Sequence, residues 1–105
     1  MVSVTFFENK DNSFSGFSLS GHAGMGKYGK DIVCAAVSSA VYMVINTLTD
    51  VIRIVPKELK VENGNVLLML RKGDFGVCRD LLLGFRLHIL ALSKQFPRFI
   101  SAKFE

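Results

Sequence analysis

The chain of 105 residues contains no tryptophan, only two prolines, two cysteines and two histidines. A four-ligand zinc site would need every cysteine and histidine, and no CxxC or HxxxH spacing supports one. Two cysteines far apart in sequence also do not make a disulfide scaffold, and are typical of a cytoplasmic protein with reduced thiols. We therefore expect no metal and no cofactor.

Long apolar runs are also scarce. The longest extends from Ile32 to Ile45, is interrupted by Ser38 and Ser39, and is shorter than the about 20 residues that a bilayer-spanning helix needs. The first residues, 1–7, contain neither a basic region nor a small-residue cleavage site, so no secretory signal is indicated. We expect a cytoplasmic protein with no membrane role.

The composition is that of an ordinary globular protein, with 50% hydrophobic and 21% charged residues, which excludes a disordered tail or linker. A chain of this size can bury roughly 60–65% of its surface, enough for one domain over residues 1–105. The net charge of +4 permits an anionic partner, but the charges are spread along the chain and lack interleaved aromatic residues. We expect no direct binding of nucleic acid.

Periodicity and turn signals predict an α+β two-layer sandwich of two helices on a mostly antiparallel sheet, in the order ββαββαβ. Pro56 and Pro97 help to end the two helices, and the Asn-Gly pair at 63–64 is a strong hairpin signal. The predicted elements are strands at 2–7 and 14–21, a helix from Ile32 to about Ile54, strands at 57–61 and 66–70, a helix from about Val77 to Phe96, and a strand at 99–104.

The first predicted helix is apolar on nearly all sides. In a two-layer domain one side of each helix should face water, so part of this surface is expected to contact another subunit. The sequence therefore predicts a homodimer.

The segment 21–30 contains Gly21, Gly24, Gly26 and Gly29. It matches both the dinucleotide-binding GxGxxG and the phosphate-binding GxxxxGK patterns. A Rossmann unit needs parallel strands where hairpins are predicted here, and Tyr28 stands where a phosphate-binding loop needs Ser or Thr. We therefore interpret the segment as a flexible loop, with Gly24, Gly26 and Gly29 in the part that covers a substrate.

A cysteine and a histidine flank this loop. If Asp31 is the N-cap of the helix, Cys34 lies in its first turn, where the helix dipole favours a thiolate. His22 could then accept the thiol proton and later donate it to a leaving amine. Asp31 precedes Cys34 by three residues and Ser38 follows it by four, so either could orient the imidazole.

The alternative from spacing alone is a small buried cysteine, a surface histidine and a plain helix cap. The other cysteine and histidine, Cys78 and His88, are interpreted as structural, because Cys78 has no histidine nearby in sequence.

Gly21-His22-Ala23, followed after five residues by Gly29-x-Asp31-Ile32-Val33-Cys34-Ala35-Ala36-Val37-Ser38, closely resembles the signature of the bacterial ribosomal-processing cysteine protease family, Prp. The resemblance implies a homodimeric cytoplasmic endopeptidase. Its substrate would be the N-terminal extension of the large-subunit ribosomal protein L twenty-seven, cut after an aromatic pair. It also implies that Cys34 is the nucleophile, His22 the base and proton donor, and Asp31 and Ser38 supporting residues.

The expected reaction is peptide hydrolysis through an acyl-enzyme, with the oxyanion held by backbone N–H groups of the first helical turn. A non-catalytic ribosome-associated module that binds RNA or protein is the alternative, and it would tolerate loss of the Cys34 thiol. A thiol redox sensor is a third possibility, but it lacks a resolving cysteine near Cys34.

Overall fold

Strands and helices alternate as ββαββαβ in the computed structural model, which describes residues 1–21 and 26–105 and, for residues 26–31, the backbone only. The elements are β1 (Val2–Glu8), β2 (Phe14–Ser20), α1 (Gly26–Asn46), β3 (Glu58–Glu62), β4 (Asn65–Met69), α2 (Phe75–Gln95) and β5 (Ile100–Phe104). The predicted order is confirmed.

The strands form one five-stranded sheet in the order β3-β4-β2-β1-β5. The pairs β1–β2, β2–β4 and β3–β4 are antiparallel, whereas β5 lies parallel to β1 at one edge. The predicted α+β class is therefore confirmed, with a mixed sheet that is antiparallel except for its last strand.

The core lies between one face of this sheet and the two helices. In β1, Val2, Val4 and Phe6 are buried and alternate with half-covered side chains, as expected when one face of a strand packs against a second layer. Phe6 and Phe17 both contact Phe85 of α2, with ring centroids 5.4 and 4.8 Å apart. These aromatic contacts hold α2 against the middle of the sheet.

The far end of β1 is tied to α2 and β5 by one arginine. Arg86 of α2 forms an ion pair with Glu8, and its guanidinium carbon lies 4.8 Å from the centroid of the Phe104 ring. Phe104 in turn stacks on Phe6 at 5.8 Å. One planar cation therefore links three elements that are distant in sequence.

The β1–β2 turn is held by a carboxylate. The backbone N–H and the hydroxyl of Ser13 both donate hydrogen bonds to Asp11 Oδ1. These bonds, the hydroxyl first, lower the pKa of Asp11 because they favour its charged form.

Helix α1 begins at Gly26, earlier than the start predicted after Asp31. Each residue added to a helix already packed on a core gains a backbone hydrogen bond, and this offsets the about 1 kcal/mol that a glycine costs within a helix. No proline interrupts residues 26–31. Asp31 is thus inside the helix and not its N-cap, and Gly26 and Gly29 are helical rather than part of a loop, so these predictions are wrong.

At its C-terminal end, α1 continues into a π-helical turn, which is wider than an α-helix. After Asn46 the chain continues through a π-helical turn, Thr47–Val51, in which the Ile52 N–H donates to the Thr47 carbonyl at 2.8 Å. Arg53 then has a left-handed φ of 66°, so the helical course ends three residues before Pro56.

The π-helical turn lengthens the apolar part of the helix. The segment Ile32–Val51 is therefore 20 residues long and, by length and composition only, apolar enough to cross a membrane. The length argument against a spanning helix is therefore wrong. Val33, Val37 and Val41 of the same segment are nonetheless buried in the core against the sheet, as in the central helix of a globular protein. The absence of a membrane role stays a prediction.

Candidate active site

A cavity of about 90 Å³ lies at one end of the sheet, beside the part of α1 from Cys34 to Tyr42. Its floor is apolar, and its rim is formed by α1 on one side and by the β3–β4 turn on the other. The lining residues are Val2, Leu19, Gly21, Cys34, Val37, Ser38, Val41, Tyr42, Glu62, Asn63, Gly64 and Val66.

Cys34 lies on the α1 side of this cavity. It is partly exposed, packs against the core and is a free thiol. It lies eight residues after the first residue of the helix (34 − 26), more than two turns inside, so the predicted position in the first turn is wrong. The N–H groups around it belong to the i→i−4 ladder of the helix and are not free to hold an oxyanion.

Ser38 and Tyr42 follow Cys34 at intervals of four residues and line the same cavity. Residues four apart lie on one side of an α-helix, so the three side chains form a row along α1. The expected proximity of Ser38 to Cys34 therefore exists in the fold. Together with Asn63 across the cavity, Ser38 and Tyr42 supply side-chain hydrogen-bond donors in the lining.

Gly21 closes the cavity at the end of β2. Its φ is 93°, a conformation that side chains with a Cβ rarely adopt, and its N–H donates to the Gly64 carbonyl at 3.0 Å. A Cβ at this position would lie 2.3 Å from the Met1 carbonyl oxygen. This glycine therefore fixes the direction in which the chain leaves β2, at the residue before His22.

Several predicted site residues fall outside the part of the chain that the structure describes. His22 and Gly24 lie outside the described residues, and Asp31 is described by its backbone alone. The predicted pairing of His22 with Cys34, the supporting role of Asp31 and the substrate-covering role of Gly24, Gly26 and Gly29 therefore stay predictions, although Gly26 and Gly29 lie in α1 and not in a loop.

Cys78 and His88 lie away from this cavity. Cys78 is fully buried in α2, and burial, followed by the nearby Asp74 carboxylate, raises the pKa of its thiol, which keeps it neutral and unreactive. His88 lines a larger hollow of about 380 Å³ between α1 and α2, whose other lining residues include Met43 and Phe85. That hollow contains no cysteine.

The opposite wall of the cavity is not among the site residues predicted from the sequence. The Asn63-Gly64 pair predicts a turn, but only the pairing of β4 with β2 brings that turn opposite α1. Tyr42 could have been found, because it continues the four-residue spacing of Cys34 and Ser38.

Comparisons with known proteins agree with this arrangement. The sequence model of a family described as "Cysteine protease Prp" matches residues 1–101. The "Ribosomal processing cysteine protease Prp" of Bacillus subtilis (strain 168) is 31% identical over 48 residues, which are 46% of this chain and 43% of that protein. The aligned part thus spans less than half of the curated relative.

Solved structures share the fold over the whole chain. The ribosomal processing protease Prp of S. aureus, in complex with a covalently linked product peptide, superposes with a TM-score of 0.89 at 19% identity and covers 100% of both chains. The protein SMU.848 of Streptococcus mutans has a TM-score of 0.81 at 30% identity, covering 99% of this chain and 93% of that one.

Proposed function

Because the chain belongs to the cysteine protease Prp family, we propose that it is an endopeptidase that uses Cys34 as its nucleophile. The observation that carries the proposal is the position of Cys34. It is the cysteine that lines the open cavity. The same cavity is lined by Gly21, the residue that precedes His22 in the sequence. Cys78, in contrast, is fully buried in the core.

The reaction that we propose proceeds through an acyl-enzyme. The Cys34 thiolate attacks the scissile carbonyl, and His22 takes the thiol proton and returns it to the departing amine. Water activated by the same imidazole then releases the acid product. Since the N–H groups near Cys34 are engaged within α1, the oxyanion must be held by other donors, and the Ser38 hydroxyl and the Asn63 amide are available in the lining.

For the substrate we propose the N-terminal extension of the ribosomal protein L twenty-seven, cut after an aromatic pair in the cytoplasm. The cavity floor is made of apolar side chains such as Val2, Leu19 and Val66, which suit an apolar or aromatic side chain. The family resemblance supports this substrate, and S. aureus Prp has been crystallised with a substrate peptide.

We also propose that the enzyme is a homodimer. Apolar side chains on the outer side of the helices remain uncovered in the single chain, including Ile32 at 61%, Met43 at 57% and Leu87 at 69% exposure. Burial of such a surface against a second copy would remove it from water. Sedimentation at micromolar concentration should give about twice the chain mass, and a monomer there would contradict the proposal.

Incubation with a peptide containing a Phe-Phe-Ala cleavage site, followed by mass spectrometry, tests the activity. Wild type should cut once after the aromatic pair, and Cys34→Ala should lower the rate by several orders of magnitude. Cys78→Ala is the matched control and should retain cleavage. A fully active Cys34→Ala protein would exclude Cys34 as the nucleophile, whereas a wild-type protein that cuts no such peptide would favour the non-catalytic binding module.

A further inference from the structure

The floor and the rim of the cavity beside Cys34 differ in character. Val2, Leu19 and Val66 of the floor are buried members of the core. Tyr42, in contrast, lines the cavity from α1 and is 52% exposed. Among the described residues that line the cavity, it is the one with an aromatic ring. Tyr42 therefore offers an apolar surface to a ligand that rises above the floor.

Helix geometry brings this ring towards Cys34. Tyr42 follows Cys34 by eight residues (42 − 34), which is about 12 Å along the helix axis. Long side chains of a helix point back towards its N-terminus and lie over the preceding turn, which is about 5.4 Å. The remaining distance of about 6.6 Å is that of two residues in an extended peptide. Both residues next to a scissile bond held at Cys34 are therefore within reach of Tyr42.

The cavity is too small for a complete aromatic ring. Its volume is about 90 Å³, whereas an apolar cavity that encloses benzene measures about 150 Å³. A phenyl side chain that enters the cavity must therefore leave part of its ring above the floor, on the side where Tyr42 lies. Two aromatic rings in contact attract each other beyond the effect of their buried area. An aliphatic side chain in the same place lacks this gain.

We propose that Tyr42 is a specificity-determining residue whose ring packs against an aromatic side chain of the substrate, an inference that rests on the proposed function. The floor accepts the apolar side chain, and Tyr42 covers the part of the ring that the floor cannot enclose. Tyr42 takes no part in bond cleavage. It makes the enzyme prefer an aromatic residue next to the scissile bond over an aliphatic residue of similar size.

A second copy of the chain is a poorer partner for Tyr42. Met43, the next residue, lines the hollow between α1 and α2, on the surface that we propose for the dimer. Consecutive residues of an α-helix point about 100° apart, and Tyr42 lines the cavity of Cys34 instead. The ring therefore belongs to the side of α1 on which the peptide is cut.

Cleavage of three peptides by three variants tests the proposal. The peptides contain Phe-Phe-Ala, Phe-Leu-Ala or Leu-Phe-Ala, so that each ring of the aromatic pair is removed in turn. Tyr42→Leu keeps an apolar side chain without a ring, and Tyr42→Phe keeps the ring without the hydroxyl. The control is Val51→Ala, which removes a 74% exposed apolar side chain from the end of the same helical segment, outside the cavity.

Tyr42→Leu should lower kcat/KM for the Phe-Phe-Ala peptide by about three- to tenfold. It should match wild type on one of the two leucine peptides, the one that lacks the ring in contact with Tyr42. Tyr42→Phe and Val51→Ala should match wild type on all three peptides. Equal losses on all peptides, or none on any, would overturn the proposal. Losses as large with Tyr42→Phe would also overturn it, because the hydroxyl and not the ring would then be responsible.

Tyrosine fluorescence gives a second measurement, which needs no cleavage. The chain has no tryptophan and two tyrosines, so in a protein with Cys34→Ala and Tyr28→Phe all tyrosine emission comes from Tyr42. A Phe-Phe-Ala peptide should change this emission saturably, and a Leu-Leu-Ala peptide should bind at least about threefold more weakly. An emission that stays constant up to millimolar peptide, or equal affinities for both peptides, would overturn the proposal.

Failure of the proposed function would look different. Wild type would then cut none of the peptides, while the emission of Tyr42 would still respond to the Phe-Phe-Ala peptide, which supports the role of Tyr42 as a contact for aromatic side chains. Conversely, normal cleavage by wild type with the same peptide preference in Tyr42→Leu would leave the protease activity established and overturn the role of Tyr42 alone.

Discussion

Replacement of Gly21 by alanine should damage both stability and cleavage, because this position connects the end of β2 to the cavity. The added Cβ would lie 2.3 Å from the Met1 carbonyl oxygen, closer than two such atoms can approach. The chain at Met1 and Val2 must then move away, or Gly21 must give up its φ of 93° and with it the hydrogen bond from its N–H to the Gly64 carbonyl.

The expected loss can be worked out from these two effects. A left-handed φ costs a residue with a Cβ roughly 1–2 kcal/mol, and crowding in a packed region typically costs 1–3 kcal/mol more. Because Met1 stands at the start of β1 and can shift, we take the lower part of the second range and expect a total of about 2–3 kcal/mol. For a domain of this size that lowers Tm by roughly 10 °C or more.

Urea unfolding followed by circular dichroism gives the loss of stability, and peptide cleavage below the unfolding range gives the loss of activity. Gly76→Ala is the matched control, since nothing lies within 4 Å of a Cβ built at that glycine. Cleavage by Gly21→Ala should fall because Val2, which must move with Met1, is part of the cavity floor. If Gly21→Ala and Gly76→Ala unfold at the same urea concentration and cut equally fast, the conformational argument for Gly21 is wrong.

Three further outcomes are expected. The lowered pKa of Asp11 means that its carboxylate stabilises the fold above its unfolded pKa of about 4 and that this contribution is lost as the pH falls. Asp11→Asn should therefore lower the urea midpoint at neutral pH, and the urea midpoint of this variant should fall less steeply in acid than that of wild type. An unchanged pH profile would contradict this. Iodoacetamide at neutral pH should modify Cys34 and not the buried Cys78, as peptide mapping would show, and equal labelling would contradict the core position of Cys78. Arg86→Leu should lower the free energy of unfolding by up to about 1 kcal/mol, because its ion pair with Glu8 is partly exposed; a fully retained urea midpoint would show that the pair contributes nothing.

Local sequence signals predicted the order of the elements, because each signal acts within a few residues. Asn63 and Gly64 identify the β3–β4 hairpin, and the alternation of Val2, Val4 and Phe6 identifies β1. The partner of β5 and the direction of their pairing did not follow from such signals. Alternation shows that a segment is a strand, but it does not show that the partner is β1 or that the pair is parallel.

The site was predicted in part for the same reason. The four-residue spacing of Cys34 and Ser38 was enough to place both on one side of α1, and both line the cavity. The helix start was predicted wrongly because Asp31 is a good N-cap residue, whereas packing of the apolar part of α1 carries the helix back to Gly26. The family predicted from the segment around Cys34 is confirmed by the match over residues 1–101.

The parallel pairing of β5 with β1 has a consequence for synthesis on the ribosome. Val2 pairs with Ile100, and the Val2 N–H donates to the Phe99 carbonyl at 2.8 Å, so the outer edge of β1 is completed by a strand that is translated much later. While residues 9–95 are being translated, β1 can join the β2–β4–β3 part of the sheet, but its other edge stays open to foreign strands. Only when α2 and β5 have left the exit tunnel can that edge close. A nascent chain therefore keeps this edge of β1 open to aggregation until residues 100–104 have been translated and have folded.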